Sequence, residues 1–343
     1  MIYLLLDSSG FGGIESHVLQ LARLLKQQRQ AVTVIFIRRY ADHPLYLQLA
    51  DANVPVQFLL SKQARHSAYT FAKQLSRDDV LHAHGYKASI LVRLLGLFTS
   101  SLTVTTFHAG ESASGRVGFY EWLNRASSFL SRNLAVSQAI QDSVPSACEL
   151  LPNFVSVPAQ STSLRRERAD SSQRLQVGFV GRLCEIKGID RFVWLAAQND
   201  GCDYHVFGDG EDETFHQAMT MVGDDGSIQW HGRVDDMANH WHSLDILLMP
   251  SRAEGLPMAA LEAMSNGVVT LATDAGDLTR LLPSGCVVSQ VNWQVLADMV
   301  KAFDHDRELT IEVAMEQQLR VRHTYSCVAR WPQLKAIYQL TES

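Results

Sequence analysis

The sequence predicts an α/β protein with two Rossmann-like domains, each built on a doubly wound parallel sheet. The chain has 343 residues, which suits two domains of roughly 150 residues better than one. In both halves, short apolar segments alternate with segments of helical periodicity, as they do in parallel sheets. A Ser- and Arg-rich stretch without periodicity, residues 156–174, separates the two series.

The predicted elements follow the same order in each half. The first half has strands over residues 2–6, 31–37, 54–60, 79–82, 102–107 and 134–137, with the first helix over 15–28. The second half has strands over 176–180, 204–207, 228–231, 246–249 and 268–272, with its first helix over 188–197. We therefore predict domains over 1–155 and 175–325, a linker or mobile loop over 156–174, and a C-terminal helical segment, 326–343, that is a candidate to cross back to the first domain.

Composition and charge exclude several classes of protein. Five scattered cysteines without a C-x-x-C pair argue against a disulfide framework and favour a reducing cytoplasm. The start of the chain lacks the features of a signal peptide, and the most apolar later stretch, 89–98, is interrupted by Arg93. The net charge is −6, but residues 1–160 carry 14 basic against 10 acidic residues. This basic half is compatible with an anionic membrane surface or acceptor, and no concentrated patch indicates nucleic acid.

A glycine-rich loop lies between the first predicted strand and helix. Gly12 and Gly13 lie in this loop just before that helix, where the free amides of a helix N-terminus and the absence of a side chain let a phosphate approach. A tight strand-to-helix turn is the structural alternative. The segment from Gly10 to Glu15 also approaches the dinucleotide fingerprint, but Glu15 replaces the third glycine, and the second strand ends in arginines 38–39 rather than an acid. An NADP-dependent oxidoreductase stays open as an alternative.

Three histidines fall at the ends of predicted strands in the first half. His82 and His84 share one strand face, and His108 follows the strand over 102–107. Since ligands bind beyond the carboxyl ends of parallel strands, these positions suit a binding site. For His82 and His84 we favour packing or hydrogen bonding, and for His108 a functional role. No third metal ligand has convincing spacing, so we predict no metal site.

Two cationic side chains flank a loop in the second half. Arg182 and Lys187 follow the strand over 176–180, and Gly188 precedes the next predicted helix. Fixed cations and a helix N-terminus stabilise a leaving diphosphate, which gains negative charge as its bond to a sugar breaks. The alternative is an ordinary solvated pair.

Two carboxylates follow the strand over 246–249. Pro257 suits the first turn of a helix and Gly267 its end, so Glu254 lies in the preceding loop and Glu262 inside the helix. Carboxylates accept hydrogen bonds from sugar and ribose hydroxyls. The amides that can point at a ligand belong to Gly255, Leu256 and Met258. The alternatives are a capping acid with a surface glutamate and, with no support from this spacing, a glycosidase pair.

Together these motifs resemble glycosyltransferase family 4, whose members are retaining enzymes of the GT-B fold. The resemblance extends over nearly the whole chain. It is carried by Gly12-Gly13-Ile-Glu15, Thr106-Phe-His108, Pro152-Asn153, Gly181-Arg182 with Lys187-Gly188, Phe207-Gly-Asp-Gly210, His231-Gly232 and the E-x7-E spacing of Glu254 and Glu262. The chain departs from the family at Asn266-Gly-Val268, where Ala-Gly-Pro is common, and at Asp274-Ala-Gly-Asp-Leu278.

The resemblance implies a fold and a role for each matching position. It implies two domains that face each other across a donor cleft, the first on the acceptor side and the second binding a nucleotide sugar. Gly12 and Gly13 would face donor phosphates, His108 would lie near the transferred sugar, Arg182 and Lys187 would bind the diphosphate, Glu254 would contact the sugar and Glu262 the ribose. His108 and Glu254 are thus the catalytic candidates, and the others bind the donor.

The resemblance also implies the reaction and its partners. The family uses a UDP- or GDP-sugar as co-substrate with a carbohydrate or lipid-linked acceptor and needs no metal or other cofactor. We expect a cytoplasmic enzyme of bacterial surface polysaccharide or glycolipid synthesis, with the inner membrane surface as a candidate contact. A GT-B-like epimerase and a non-catalytic nucleotide-sugar binder are further alternatives.

Overall fold

The computed structural model describes residues 1–60, 68–108, 115–158, 173–210, 220 and 228–340. The chain divides into two compact units. The first unit comprises Met1–Phe154 with the described residues from Cys327 onward, and the second comprises the described part of Val155–Ser326. Each unit contains a parallel sheet flanked by helices, which confirms the predicted fold class.

The first unit holds a sheet of seven described strands in the order β3-β2-β1-β4-β5-β6-β7. The strands are β1 (Ile2–Leu6), β2 (Val32–Arg38), β3 (Val56–Leu60), β4 (Val80–His84), β5 (Leu102–Phe107), β6 (Arg132–Ala135) and β7 (Cys148–Leu150). The described helices are α1 (Gly13–Gln27), α2 (Pro44–Asp51), α3 (Ala68–Gln74), α4 (Tyr86–Gly96), α5 (Gly115–Ala126), α6 (Gln138–Ser143) and, from the C-terminal segment, α12 (Cys327–Ile337). The strand order reverses between β1 and β4, so ligands are expected at that switch point.

The second unit holds a sheet of six described strands in the order β10-β9-β8-β11-β12-β13. The strands are β8 (Leu175–Val180), β9 (Cys202–Phe207), β10 (Ile228–Gly232), β11 (Ile246–Met249), β12 (Val269–Thr273) and β13 (Val287–Val288). The described helices are α7 (Ile189–Ala196), α8 (Met258–Ser265), α9 (Leu278–Leu281), α10 (Val295–His305) and α11 (Arg307–Arg320). Here the order reverses between β8 and β11.

Burial follows the pattern expected of parallel sheets. Every residue of β11 and β12 is buried, because helices cover both faces of these strands. Helix α1 buries one apolar face, including Leu21 and Leu25, and leaves Lys26 exposed. Two short strands, β7 and β13, did not follow from the sequence, since strands of two or three residues carry too little periodicity to recognise.

The C-terminal helix α12 packs in the core of the first unit. Leu334 and Ile337 are fully buried there. The hydroxyl of Tyr338 lies 2.6 Å from Nδ1 of His82 on β4. This last contact joins residues 256 positions apart, and the C-terminal segment therefore completes the first unit.

Arg93 is buried inside the first unit. Its guanidinium donates to Oγ of Ser131 at 2.8 Å, to Oδ1 of Asn124 at 2.8 Å and to Oγ1 of Thr105 at 2.9 Å. Burial lowers the pKa of Arg93 to about 10. The residue that interrupts the apolar stretch 89–98 is therefore a core hydrogen-bond donor rather than an exposed charge. No helix in the described parts of the chain is long and apolar enough to cross a bilayer.

Part of the predicted linker lies outside the described residues, namely 159–172. Its last residue, Arg174, is described and donates to Oδ1 of Asp203 on β9 at 2.6 Å. Arg174 therefore already belongs to the second unit, immediately before β8.

Candidate active site

The candidate site of the second unit lies at its topological switch point. The loop after β8 carries Gly181 and Arg182, and the loop after the neighbouring strand β11 carries Glu254. Because both strands are parallel, their carboxyl ends meet at one edge of the sheet. The two loops that carry the predicted site residues of this half therefore begin next to each other. Arg182 is exposed at this edge.

Lys187 and Glu254 form an ion pair within this site. Lys187 Nζ lies 2.8 Å from Glu254 Oε2. The Lys187 side chain is 21% exposed and that of Glu254 only 5%, so the pair is largely shielded from water. The other carboxylate oxygen, Oε1, accepts a hydrogen bond from Ser251 Oγ at 2.8 Å. Lys187 and Glu254 were predicted to bind different parts of one ligand, and the structure brings them into direct contact.

The backbone around the pair is tightly packed. Gly188 follows Lys187 with φ 74° and ψ 35°, a left-handed conformation that favours glycine. A Cβ atom at this position would collide with the carbonyl oxygen of Pro250, at the end of β11. The hydroxyl of Thr273, the last residue of β12, donates to the carbonyl oxygen of Ser251 at 2.5 Å. The loops after three adjacent strands are therefore held in one arrangement.

A second ion pair joins the same two loops and was missed by the sequence analysis. Arg252 donates to both carboxylate oxygens of Asp190 on α7, at 2.8 and 2.6 Å, and to the carbonyl oxygen of Glu185. Burial alone would raise the pKa of Asp190, but the hydrogen bonds and charge of Arg252 outweigh it and lower that pKa. Such a fork is stronger and more directional than a lysine contact. The two residues are 62 positions apart, and no local motif announces the pairing.

Helix α8 carries the second predicted carboxylate. It begins at Met258, with Pro257 as the preceding cap residue rather than in the first turn, and ends before Gly267, which has φ 72°. Glu262 is the half-buried fifth residue of this helix. The amides of the first turn have no acceptor within the helix, and Met258 is one of these residues. Of the preceding residues, Leu256 is buried and Gly255 half-buried.

In the first unit, the glycine loop begins α1 beside the switch point. Gly12 caps α1 and Gly13 is its first residue. Glu15 lies in the first turn and is 4% exposed, so a buried acid accompanies the amides that a phosphate would use. Nearby, Asp7 accepts from Tyr40 Oη at 2.7 Å and pairs with Lys87 Nζ at 3.1 Å.

Histidines surround the end of β4. His82 is buried with both ring nitrogens engaged, one with Tyr338 and the other with Thr106 Oγ1 at 2.7 Å. His84 Nδ1 lies 3.0 Å from His108 Nε2. His17 on α1 completes the group, with its ring centroid 4.9 Å from that of His108. His17 was missed by the sequence analysis because it lies on a helix that the fold brings to β4.

All four histidines of this group are uncharged at neutral pH. Burial lowers the pKa of His17 to about 4 and that of His82 to about 3. Burial also lowers the pKa values of His84 and His108 well below the ordinary histidine value, and neighbouring histidines add to both shifts. Neutral imidazoles can accept a hydrogen bond or bind a metal ion, whereas imidazolium can only donate.

Two family models match the chain in the order of its units. The model described as Glycosyltransferase Family 4 matches residues 11–157, and the model described as Glycosyl transferases group 1 matches residues 174–305. Together with the two parallel sheets, these matches define a glycosyltransferase of the GT-B fold. These matches and the mannosyltransferase relatives show that the chain is a GT-B glycosyltransferase similar to family 4. The E-x7-E signature assigned to Glu254 and Glu262 stays a prediction.

Individual relatives and structures agree with this assignment. The GDP-mannose-dependent alpha-mannosyltransferase of Corynebacterium glutamicum is 30% identical over 177 residues, covering 51% of this chain and 39% of that protein. The phosphatidyl-myo-inositol mannosyltransferase of Mycolicibacterium smegmatis is 26% identical over 300 residues, covering 80% and 75%. The crystal structure of HepE from Anabaena with UDP and glucose has a TM-score of 0.78 at 19% identity, covering 99% of both chains, and shows the same fold.

The shared length differs among relatives. For the Corynebacterium protein and for an uncharacterized glycosyltransferase of Haemophilus influenzae, the match spans half or less of the relative's own length.

Proposed function

We propose that this protein transfers a sugar, with retention of configuration, from a UDP- or GDP-sugar to a carbohydrate or lipid-linked acceptor. The observation that carries the proposal is the contact of Lys187 with Glu254 at the switch point of the second sheet. It gathers a cation suited to a diphosphate and a carboxylate suited to sugar hydroxyls in the place where open α/β sheets bind ligands. Family membership and the mannosyltransferase relatives give further support.

Each donor-site residue has a part in this proposal. Lys187 and Arg182 bind the diphosphate, assisted by the amides of Gly255, Leu256 and Met258. Glu254 accepts from sugar hydroxyls and Glu262 from the ribose diol. The assignments of Gly12, Gly13 and His108 stay predictions of the family resemblance.

The proposed reaction breaks one bond of the donor and forms one bond to the acceptor. The bond between the anomeric carbon and the diphosphate oxygen breaks, and the acceptor oxygen bonds to the same face of that carbon. The acceptor's proton passes to the leaving diphosphate oxygen. Positive charge from Lys187 and Arg182 stabilises the diphosphate as it leaves, so we propose that transfer needs no metal. Glu254 then positions the sugar and forms no covalent bond.

An exposed aromatic surface supports a lipid-linked acceptor at the cytoplasmic face of a bacterial inner membrane. On α5, Phe119 is 58% and Trp122 62% exposed, and Phe129 beyond it is 73% exposed. Arg116 is exposed on the same helix. Aromatic rings with a nearby cation suit the boundary between headgroups and acyl chains. Such an acceptor would fit surface polysaccharide or glycolipid synthesis.

A nucleotide panel tests the donor site. Thermal shifts with UDP, GDP, ADP and their sugars should show stabilisation by either the uridine or the guanosine diphosphate series, since ligands that bind the native state raise its stability. Glu262→Ala should lose most of that shift, and the matched control Glu316→Ala, an exposed acid on α11 of the same unit, should keep it. Unchanged donor kinetics in both Glu262→Ala and Arg182→Ala would contradict the proposal.

Two further measurements separate the alternatives. The anomeric configuration of the first product, read by NMR, decides retention. Tight NADPH binding without any response to UDP or GDP would favour an oxidoreductase. Consumption of a UDP-sugar without acceptor would favour an epimerase, and nucleotide-sugar binding without turnover on a broad acceptor set would favour a non-catalytic binder.

A further inference from the structure

Three histidines of the first unit converge beside its switch point. His17 comes from α1, His84 ends β4 and His108 follows β5, and one ring nitrogen of each lies within 4.8 Å of the others. A tetrahedral zinc ion with Zn–N bonds of about 2.0–2.1 Å requires nitrogens about 3.3 Å apart. His84 Nδ1 and His108 Nε2 are already 3.0 Å apart. The separation of this pair is thus close to the one that a shared ion requires, and the third histidine offers a nitrogen within 4.8 Å of both.

The hydrogen bonding of the cluster is incomplete. His17 is fully buried, and neither of its ring nitrogens has a hydrogen-bond partner among the described residues. Nε2 of His84 is also buried without a hydrogen-bond partner among the described residues. Leaving a buried polar atom without a partner is energetically unfavourable. An ion that accepts a lone pair from each ring would satisfy part of this unmet bonding capacity.

His82 is excluded from the ligand set and supports it instead. Both of its nitrogens are engaged, with Tyr338 and Thr106. Its ring packs against that of His84, with centroids 4.2 Å apart. Because His82 is itself held by two hydrogen bonds, it presents a fixed surface against which the ring of His84 packs.

We propose that His17, His84 and His108 bind one divalent transition-metal ion, with Zn²⁺ as the ion that best fits them. Imidazole nitrogen is a preferred ligand of zinc, and three histidines leave a fourth position for water or another ligand. A neutral imidazole carries one ring proton, and the hydrogen bond between His84 Nδ1 and His108 Nε2 places such a proton between these two atoms. Binding of the ion would move that proton to the other nitrogen of its ring, so that both facing nitrogens offer a lone pair.

The ion would compete with the role proposed for His108. The family resemblance assigns His108 to the transferred sugar, and this consequence alone rests on the proposed function. Zn²⁺ should then inhibit transfer, with inhibition relieved by a chelator. If one equivalent of Zn²⁺ binds without inhibiting transfer, the metal-site proposal stands and the proposed role of His108 in transfer is wrong. If no Zn²⁺ binds, the metal-site proposal is wrong and the role of His108 is unaffected.

Direct binding tests the site without any substrate. Full-length protein without a histidine tag is stripped with chelator and titrated with Zn²⁺ by calorimetry and with Co²⁺ by absorption. We expect one tightly bound ion per chain and the visible absorption bands of tetrahedral Co²⁺. A thiolate-to-metal charge-transfer band should be absent, because such a band would indicate that cysteines bind the ion instead. His17→Gln and His108→Gln should each weaken binding at least ~100-fold, because losing an outer partner alone costs about 10–100-fold.

The control is His231→Gln, a histidine exposed in the second unit, which should bind as the wild type does. Because His17→Gln could disturb folding, His108→Gln, whose side chain is only partly buried, provides the second variant, and circular dichroism verifies both. Three results would each overturn the proposal: no tightly bound ion, the appearance of thiolate bands, or binding that persists in both variants. In each case any ion found on the protein is an adventitious ion only.

Discussion

Lys187 and Glu254 share a hydrogen bond of 2.8 Å at the switch point of the second sheet, with the carboxylate 5% exposed. The cation that we assign to the diphosphate is thus neutralised by the acid that we assign to the sugar. A nucleotide sugar carries both a diphosphate and sugar hydroxyls. When it binds, Lys187 can contact the diphosphate and Glu254 the hydroxyls in place of their contact with each other. The Lys187–Glu254 pair is therefore charge-balanced by itself, which limits the free-energy cost of holding the Glu254 carboxylate in a buried position.

Substitution of Lys187 and substitution of Glu254 should have different effects on diphosphate binding. Lys187→Met should weaken UDP or GDP binding and lower kcat by about 10²–10³-fold, since it removes a fixed cation from the leaving group. Glu254→Gln should lower kcat to a similar degree but leave nucleoside diphosphate binding unchanged or tighter, because Lys187 loses its competing partner. Calorimetry with the diphosphate alone, together with transfer kinetics, measures both effects. Lys301→Met on α10 of the same unit serves as the control. Equal losses of diphosphate affinity in the two site variants would argue against this division of roles.

The fork between Arg252 and Asp190 should matter for turnover more than for stability. Arg252→Lys keeps the charge but loses the two parallel hydrogen bonds. Because the pair is about 30% exposed, we expect a change of less than about 1 kcal/mol in the free energy of unfolding. We expect kcat to fall at least several-fold, since the loop that carries Glu254 loses its anchor. Arg307→Lys, which alters the pair with Asp304 away from these loops, is the matched control. A large loss of stability with unchanged kcat would reverse this assignment.

Arg93 should be essential to the stability of the first unit. Arg93→Met removes the donor to the side-chain and main-chain oxygens of buried Asn124, and each unsatisfied buried group costs about 1–3 kcal/mol. We expect at least about 3 kcal/mol of destabilisation in urea unfolding. Arg116→Met, on exposed α5, should change the free energy of unfolding by less than about 0.5 kcal/mol. Similar urea midpoints for the two variants would show that Arg93 is dispensable.

The sequence predicted the sheets and the charged loops because their signals are local. Strand periodicity located β8 and β11, and the loops that carry Lys187 and Glu254 followed from the ends of those strands. Three features depended on contacts between distant parts of the chain. His17 joins His84 only through the packing of α1, Arg252 meets Asp190 across two loops, and Tyr338 reaches β4 from the C-terminal segment. Residue spacing along the chain carries no signal for such pairs.

The histidine group should make the first unit sensitive to acid. The pKa of His17 is lowered from 6.5 to about 4 by burial, and that of His82 to about 3. The unfolded chain therefore takes up protons as the pH falls through 6.5, while the folded state does not. The stability that these groups contribute is complete above about pH 6.5 and is lost as the pH falls towards 4, at about 1.4 kcal/mol per pH unit for each histidine.

Hydrogen exchange of metal-free protein between about pH 7 and pH 5 measures this loss locally, after correction for the intrinsic pH dependence of exchange. Amides of β4 and β5 should lose protection faster than those of β11 and β12, because the buried histidine group lies at the ends of β4 and β5. In the second unit, the described histidines whose pKa values are lowered by burial, His205 and His231, lie on β9 and β10 instead. Saturating Zn²⁺ at neutral pH should increase the protection of the first unit only. Equal loss of protection in both sheets on acidification would mean that the buried histidines do not control the acid response.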